Sequence, residues 1–313
     1  MRFSLFIIAY LFLPVMMAAQ QNQPQYDQWS VAASQCWIDI DYAGDNITGH
    51  KLDIFLPKSG AAPFPVVVAV YGSAWFSNNS KGATFQTGLG QALLQAGYAV
   101  ISVNHRSSRD AVFPAQIQDV KAAIRFIRGN SKAFQLDTGF VGITGWSSGG
   151  HLSSFAGVST GIKSREIDGQ SIELEGAVGK FTEFSSDVDA VVDWFGPTDF
   201  LIMDQCGSSF SHDDPKSPES SLVGGSIQEN KTMCALANPS QYTRSGNPPF
   251  LIFHGDKDPL VPHCQSQQLY DGLQKAGVDS ELVIIKDGGH GPGVMIPVYY
   301  EQMIAFFDKK SKR

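Results

Sequence analysis

The feature that most constrains this chain is a serine in a tight turn between a predicted strand and a predicted helix. The turn has the pattern G-x-S-x-G, with Gly145, Ser147 and Gly149 at its defining positions. A serine raised on such a sharp bend needs small neighbours, and the helix N-terminus behind it favours developing negative charge. A glycine- and serine-rich turn also occurs in unrelated α/β proteins. The turn therefore indicates a nucleophilic serine, and that interpretation depends on partners elsewhere in the chain.

Strand-like and helix-like segments alternate along the sequence. Apolar runs and alternating patterns predict strands at 35–40, 51–56, 65–71, 99–103, 140–143, 188–195, 250–254 and 281–285. Apolar residues at helical spacing predict helices at 88–96, 114–128, 265–276 and 297–308. The order predicts an α/β fold with a mainly parallel central sheet flanked by helices.

One stretch, 201–247, interrupts this alternation after the strand that ends near Phe195. It is rich in Ser, Pro, Gly, Asp and Asn and has no sustained period. It is too long for an ordinary connection, so we expect a lid or a substrate-binding insertion, the alternative being a disordered surface excursion. Two of the four cysteines, Cys206 and Cys234, lie within it, and we expect them to be bridged. Four cysteines allow three full pairings, and four free thiols are the alternative.

A serine nucleophile needs a base, and the base needs a carboxylate to orient it. In a sheet of this type the chain order is serine, acid, histidine. His290, flanked by glycines after the last predicted strand, is the expected base. Asp258, just before a Pro-Leu-Val-Pro turn, is the expected acid, and Asp256 and Asp199 are the alternatives.

The negative oxygen formed during attack on a carbonyl needs hydrogen-bond donors. The backbone amide of Ser148 is one expected donor. Others are expected in the loop after the strand at 65–71, where Ser73 and Ala74 are the candidates. Trp146 and Trp75 are candidates for contacting substrate, although Trp75 has packing in the core as an equal alternative.

The N-terminus has the features of a cleavable signal peptide. Arg2 precedes an apolar run at 5–15, and Ala18-Ala19 offers a cleavage site, so we expect residues 1–19 to be removed. An uncleaved anchor is the alternative. The remainder, 20–313, is then one secreted or periplasmic domain without a stable membrane anchor.

The composition bears on partners and cofactors. The net charge of −7 over 313 residues argues against nucleic acid as a partner. No C-x-x-C or H-x-x-x-H spacing suggests a metal site, and no cofactor is expected. The sequence does not define an oligomeric state.

Several motifs together resemble the α/β-hydrolase superfamily. They are Y-G-S-A-W at 71–75, N-H-R at 104–106 with F-P-A at 113–115, G-W-S-S-G-G-H at 145–151, W-F-G-P-T-D-F at 194–200, H-G-D-K-D-P-L-V-P at 254–262 and G-G-H-G at 288–291. Within the superfamily, the chain is most similar to secreted bifunctional acetylxylan/feruloyl esterases, over roughly Gly49 to Asp308. At 71–75 it departs from their H-G-G-G-W loop, which changes the residues that would supply oxyanion donors.

The resemblance implies a serine esterase that acts on small-molecule or polysaccharide esters, here acetyl or feruloyl groups on plant cell-wall polysaccharide. Other expectations remain open. Relatives that hydrolyse polyesters or lipids share these motifs. A serine peptidase of the prolyl-oligopeptidase type would need a propeller for which the chain has no room. A non-catalytic binding module would be expected to lack one of the three side chains.

Overall fold

An eight-stranded sheet forms the centre of the computed structural model, which describes residues 33–312. The predicted signal peptide, residues 1–19, lies outside these residues. The strands are β1 (Gln35–Asp41), β2 (Lys51–Leu56), β3 (Phe64–Val70), β4 (Ala99–Val103), β5 (Leu136–Trp146), β6 (Ser164–Ile167), β7 (Gln170–Glu173), β8 (Ala190–Trp194), β9 (Phe250–Gly255) and β10 (Ser280–Ile285).

The central sheet has the order β1-β2-β4-β3-β5-β8-β9-β10, and β6 and β7 form a separate antiparallel hairpin. The first two strands pair antiparallel, and β2 pairs antiparallel with β4. All later neighbours, from β4 to β10, run parallel. Val66–Val70, Ala99–Val103 and Ala190–Trp194 are buried throughout, as strands covered on both faces require.

Helices cover both faces of the sheet. They are α1 (Ala83–Gln86), α2 (Leu89–Gln95), α3 (Ala115–Gly129), α4 (Ser148–Val158), α5 (Pro218–Val223), α6 (Lys231–Leu236), α7 (Cys264–Lys275) and α8 (Pro297–Ser311). Apolar residues of α3, α4 and α7 enter one core, and those of α2 and α8 enter a second core on the opposite face. This arrangement confirms the predicted α/β-hydrolase fold with a mainly parallel sheet.

The segment 201–247 is more regular than its composition suggests. It contains α5, α6 and short 3₁₀ helices at Asp204–Cys206 and Pro239–Tyr242. Helix α6 buries Met233, Cys234 and Leu236 in the core. Helices of six residues are too short to establish a period, so the sequence does not reveal them.

The predicted Cys206–Cys234 bridge is wrong. Cys206 is bonded instead to Cys264, the first residue of α7. The Cys234 thiol is buried within α6, where it donates to the Ile227 carbonyl at 3.7 Å. Cys36 is also free. The bridge therefore ties the inserted segment to the helix that follows the loop carrying Asp258.

Across residues 33–312, no helix combines the length and the apolar character needed to cross a membrane.

Candidate active site

Ser147 lies in the sharp turn between β5 and α4. Its backbone has φ 55° and ψ −126°, a conformation that non-glycine residues rarely adopt and that raises its side chain above the sheet edge. The flanking glycines permit the close approaches that this turn requires. A Cβ at Gly145 would lie 2.3 Å from the Gly149 carbonyl oxygen, and one at Gly149 would lie 2.1 Å from the Val70 carbonyl oxygen.

Loops at the carboxyl ends of β9 and β10 bring two further side chains to Ser147. His290 Nε2 lies 3.0 Å from Ser147 Oγ, and His290 Nδ1 lies 2.8 Å from Asp258 Oδ2. The other carboxylate oxygen of Asp258 accepts hydrogen bonds from the Leu260 and Val261 amides, each at 2.9 Å. These bonds fix the carboxylate, which in turn fixes the imidazole.

The surroundings keep Asp258 ionised. Burial alone would raise its pKa, but hydrogen bonds and charge interactions with His254 and His290 lower it well below the usual range. The His290 ring also packs on Phe195, with ring centroids 4.7 Å apart. Because Nδ1 faces a fixed carboxylate, Nε2 is the ring nitrogen directed at Ser147.

The alternative acids have other partners. Asp256 accepts from the Asp287 amide at 2.6 Å, which joins the loops after β9 and β10. Asp199 accepts from the Leu201 amide at 3.0 Å and from the Gln268 side chain at 3.2 Å. Of the three predicted candidates, Asp258 is the one that contacts His290.

The candidate oxyanion donors differ in their hydrogen bonds. The Ser73 amide donates to Ser148 Oγ at 2.8 Å, and its role as an oxyanion donor stays a prediction. Ala74 adopts a left-handed conformation with φ 52° and lines the cavity beside Ser147, as Ser148 does. The Ser148 amide opens α4, whose first N–H groups have no partner within the helix.

The two predicted tryptophans differ. Trp75 is 1% exposed, lines the cavity and packs edge-on against His151 and Phe200. Trp75 thus packs in the core and also forms part of the cavity wall, while its contact with substrate stays a prediction. Trp146 does not line that cavity and is buried in the second core, so its prediction as a substrate contact is not supported.

Other histidines also have defined partners. His151 Nε2 lies 2.8 Å from the Ala237 carbonyl, and burial lowers its pKa to about 4. His50 and His212, which look like surface residues in the sequence, are each 3% exposed and face carboxylates. In the part of the chain that the structure describes, no cluster of three or more His, Cys, Asp or Glu side chains is arranged to hold a metal ion.

A cavity of about 170 Å³ opens beside Ser147 and His290. The inserted segment supplies four of its lining residues, which the sequence did not single out: Phe210, His212, Pro218 and Glu219. The local sequence signal for these residues is Ser217-Pro218-Glu219, a pattern typical of a helix start. Ser217 caps α5, and Pro218 is its first residue. The insertion therefore reaches the cavity beside Ser147, and its role as a lid or substrate-binding segment stays a prediction.

Two solved structures superpose on most of the chain. A truncated carbohydrate esterase from gut microbiota is 43% identical and superposes with a TM-score of 0.86, over 90% of this chain and 98% of that one. A bifunctional GH43-CE protein of Bacteroides eggerthii is 48% identical with a TM-score of 0.84, over 88% of this chain and 35% of that one.

A curated relative is more distant. Esterase LipQ of Mycobacterium tuberculosis is 28% identical over 68% of this chain, and the match spans 46% of its own length. The chain thus spans about half the length of the curated relatives it matches. The sequence profile of the BD-FAE family matches residues 52–273, which include Ser147 and Asp258. With this match covering more than half of its length, the chain belongs to the BD-FAE family and has the α/β-hydrolase fold.

Proposed function

We propose that the protein is a carboxylic ester hydrolase in which Ser147, His290 and Asp258 form a catalytic triad. The observation that carries this proposal is the position of His290, whose two ring nitrogens lie 3.0 Å from Ser147 Oγ and 2.8 Å from Asp258 Oδ2. This is the geometry of a nucleophile, its base and the group that orients the base.

The proposed reaction has two halves. Ser147 Oγ attacks the ester carbonyl carbon while His290 Nε2 accepts the hydroxyl proton. The negative carbonyl oxygen accepts hydrogen bonds from the Ser148 amide and from the loop at Ala74. His290 then gives its proton to the leaving alcohol, which leaves an acyl group on Ser147. A water molecule, deprotonated by the same nitrogen, releases the acid and restores the serine.

Asp258 holds the imidazole in the tautomer that this reaction needs. Its Oδ2 accepts from Nδ1–H, so Nε2 begins the cycle without a proton. Its strongly lowered pKa keeps it a carboxylate while His290 carries a positive charge between the two proton transfers.

The proposed substrates are acetyl or feruloyl esters on plant cell-wall polysaccharide. The similarity to the gut carbohydrate esterase and to the GH43-CE protein supports a carbohydrate ester. We further propose that the protein is exported through the signal peptide at 1–19, which agrees with a disulfide between Cys206 and Cys264, since such bonds persist in oxidising compartments.

Ser147→Ala tests the proposal directly. The wild-type protein and the variant would be assayed on acetylated xylan, methyl ferulate, a triglyceride and a peptide amide. We expect turnover of the first two by the wild type and a loss of at least about 1,000-fold in the variant. Ser171→Ala, at an exposed position of β7, is the matched control and should retain full activity. Retention of more than about a tenth of the activity by Ser147→Ala would exclude Ser147 as nucleophile.

A further inference from the structure

The cavity beside Ser147 has room for one aromatic ring. Its volume is about 170 Å³, and an apolar cavity of about 150 Å³ in another protein accommodates benzene. An acetyl group would leave most of this space unfilled. Much of the lining is apolar: Ala74, Trp75, Pro197, Phe210, Pro218, Leu260 and Val261.

Two charged side chains of the insertion interrupt that apolar lining. His212 and Glu219 both line the cavity, and each side chain is 4% exposed. His212 Nδ1 lies 3.1 Å from Glu219 Oε2. The two atoms face each other as an ion pair when His212 is protonated, but their geometry falls short of a hydrogen bond. Glu219 Oε2 therefore has no hydrogen-bond partner among the described residues, and a ligand hydroxyl in the cavity would supply the missing donor.

His212 is held so that one ring nitrogen faces Glu219. Its Nε2 lies 2.9 Å from the Leu260 carbonyl and 3.1 Å from Ser208 Oγ, while its backbone amide donates to Asp204. Burial alone would lower the pKa of His212, but Glu219, the Leu260 carbonyl and Asp204 raise it above its ordinary value. These contacts favour the charged form of the His212 ring, whose Nδ1 lies 3.1 Å from Glu219 Oε2.

The lining favours a phenolic ring over a sugar. A sugar presents hydroxyl groups around its whole ring, and the apolar lining would leave most of them without partners. An aromatic ring with a single hydroxyl group needs an apolar cavity with one hydrogen-bond acceptor. Phe210 and Leu260 offer apolar surface to the ring, and Glu219 offers an acceptor to the hydroxyl group.

We propose that Glu219, held by His212, determines specificity by accepting a hydrogen bond from the phenolic hydroxyl of an aromatic acyl group whose ester lies at Ser147. This inference rests on the proposed ester hydrolysis and assigns the residue that distinguishes one acyl group from another. Glu219 contacts the acyl group at a distance from the reacting atoms. Its effect is therefore expected in the choice between substrates.

The test compares methyl 4-hydroxycinnamate with methyl cinnamate, which differ only in the hydroxyl group. We expect the wild type to prefer the hydroxylated ester by about 10- to 100-fold in kcat/KM, as for a hydrogen bond to a charged group. Glu219→Leu should bring the ratio near one. Glu219→Gln, which keeps an acceptor oxygen, should retain a clear preference. Glu229→Leu, at an exposed position of the same insertion, should keep the wild-type ratio.

A binding measurement separates this inference from the proposed function. Calorimetric titration of both esters into Ser147→Ala, with and without Glu219→Leu, needs no turnover. Tighter binding of the hydroxylated ester that disappears with Glu219→Leu supports the inference even if no ester is hydrolysed. Equal binding of the two esters to Ser147→Ala, or a ratio unchanged by Glu219→Leu, would overturn it. Absence of hydrolysis of every ester by the wild type would instead refute the proposed function.

Discussion

Removal of the Cys206–Cys264 disulfide should destabilise the protein and disturb the candidate site together. The bond joins residues 58 positions apart. The chain between them includes the inserted segment, β9 and the loop that carries Asp258. Cys206 ends a 3₁₀ helix of the insertion and Cys264 begins α7, so the bond anchors both ends of this stretch.

The loop length sets the expected size of the effect. In the chain-entropy description, cross-linking a loop of this length lowers the entropy of the unfolded chain enough to contribute about 4 kcal/mol at 25 °C. For a domain of this size, each kcal/mol shifts the midpoint of thermal unfolding by about 2–4 °C. Replacing both cysteines with serine should therefore lower Tm by about 8–16 °C.

The assay is thermal unfolding of the double variant Cys206→Ser/Cys264→Ser beside the wild type and Cys36→Ser. Cys36 is free, so its replacement should shift Tm little. Peptide mapping without reduction should recover Cys206 linked to Cys264, with Cys234 reactive after unfolding. A Tm change below about 2 °C would refute the stability argument. A Cys206–Cys234 peptide would refute the pairing.

Two further predictions concern the turn at Ser147 and the loop at Asp258. Gly149→Ala would place a Cβ 2.1 Å from the Val70 carbonyl oxygen, so it should lower the free energy of unfolding by at least about 3 kcal/mol or prevent folding. The control is Gly139→Ala, at an exposed position of β5, which should lower it by less than about 1 kcal/mol. Urea titration measures both values. Because the pKa of Asp258 is lowered in the folded protein, its stabilising contribution is complete above about pH 4 and is lost as pH falls through the folded pKa. Urea titrations from pH 5 to pH 3 should therefore show a smaller loss of stability for Asp258→Asn than for the wild type, and equal losses would contradict the assignment.

The fold could be predicted because its signals are local. The strand at 99–103 and the helix at 265–276 coincide with β4 and α7 to within a residue, since each carries its own apolar pattern. Gly145 and Gly149 mark the turn around Ser147 because the close backbone approach there excludes any Cβ. These features depend on residues that are near one another in the sequence.

The remaining features depend on contacts between distant segments. Nothing near Cys206 in the sequence distinguishes Cys264 from Cys234, because pairing follows from where α7 packs. The hydrogen bond from the Ser73 amide to Ser148 Oγ, 75 residues later, also could not be predicted from the sequence. His212 looks like a surface residue because the sequence does not show its contact with the Leu260 carbonyl, 48 residues later.

Covalent labelling tests the central claim, that Ser147 is the nucleophile of an ester hydrolase, most directly. An alkyl fluorophosphonate reacts with a serine hydroxyl that an adjacent base activates, and it forms a stable adduct whose position mass spectrometry of peptides reveals. We predict one adduct per protein, on Ser147, with parallel loss of ester hydrolysis and with no labelling of Ser147→Ala. An adduct on another residue, or an unlabelled wild type that still hydrolyses esters, would contradict the account.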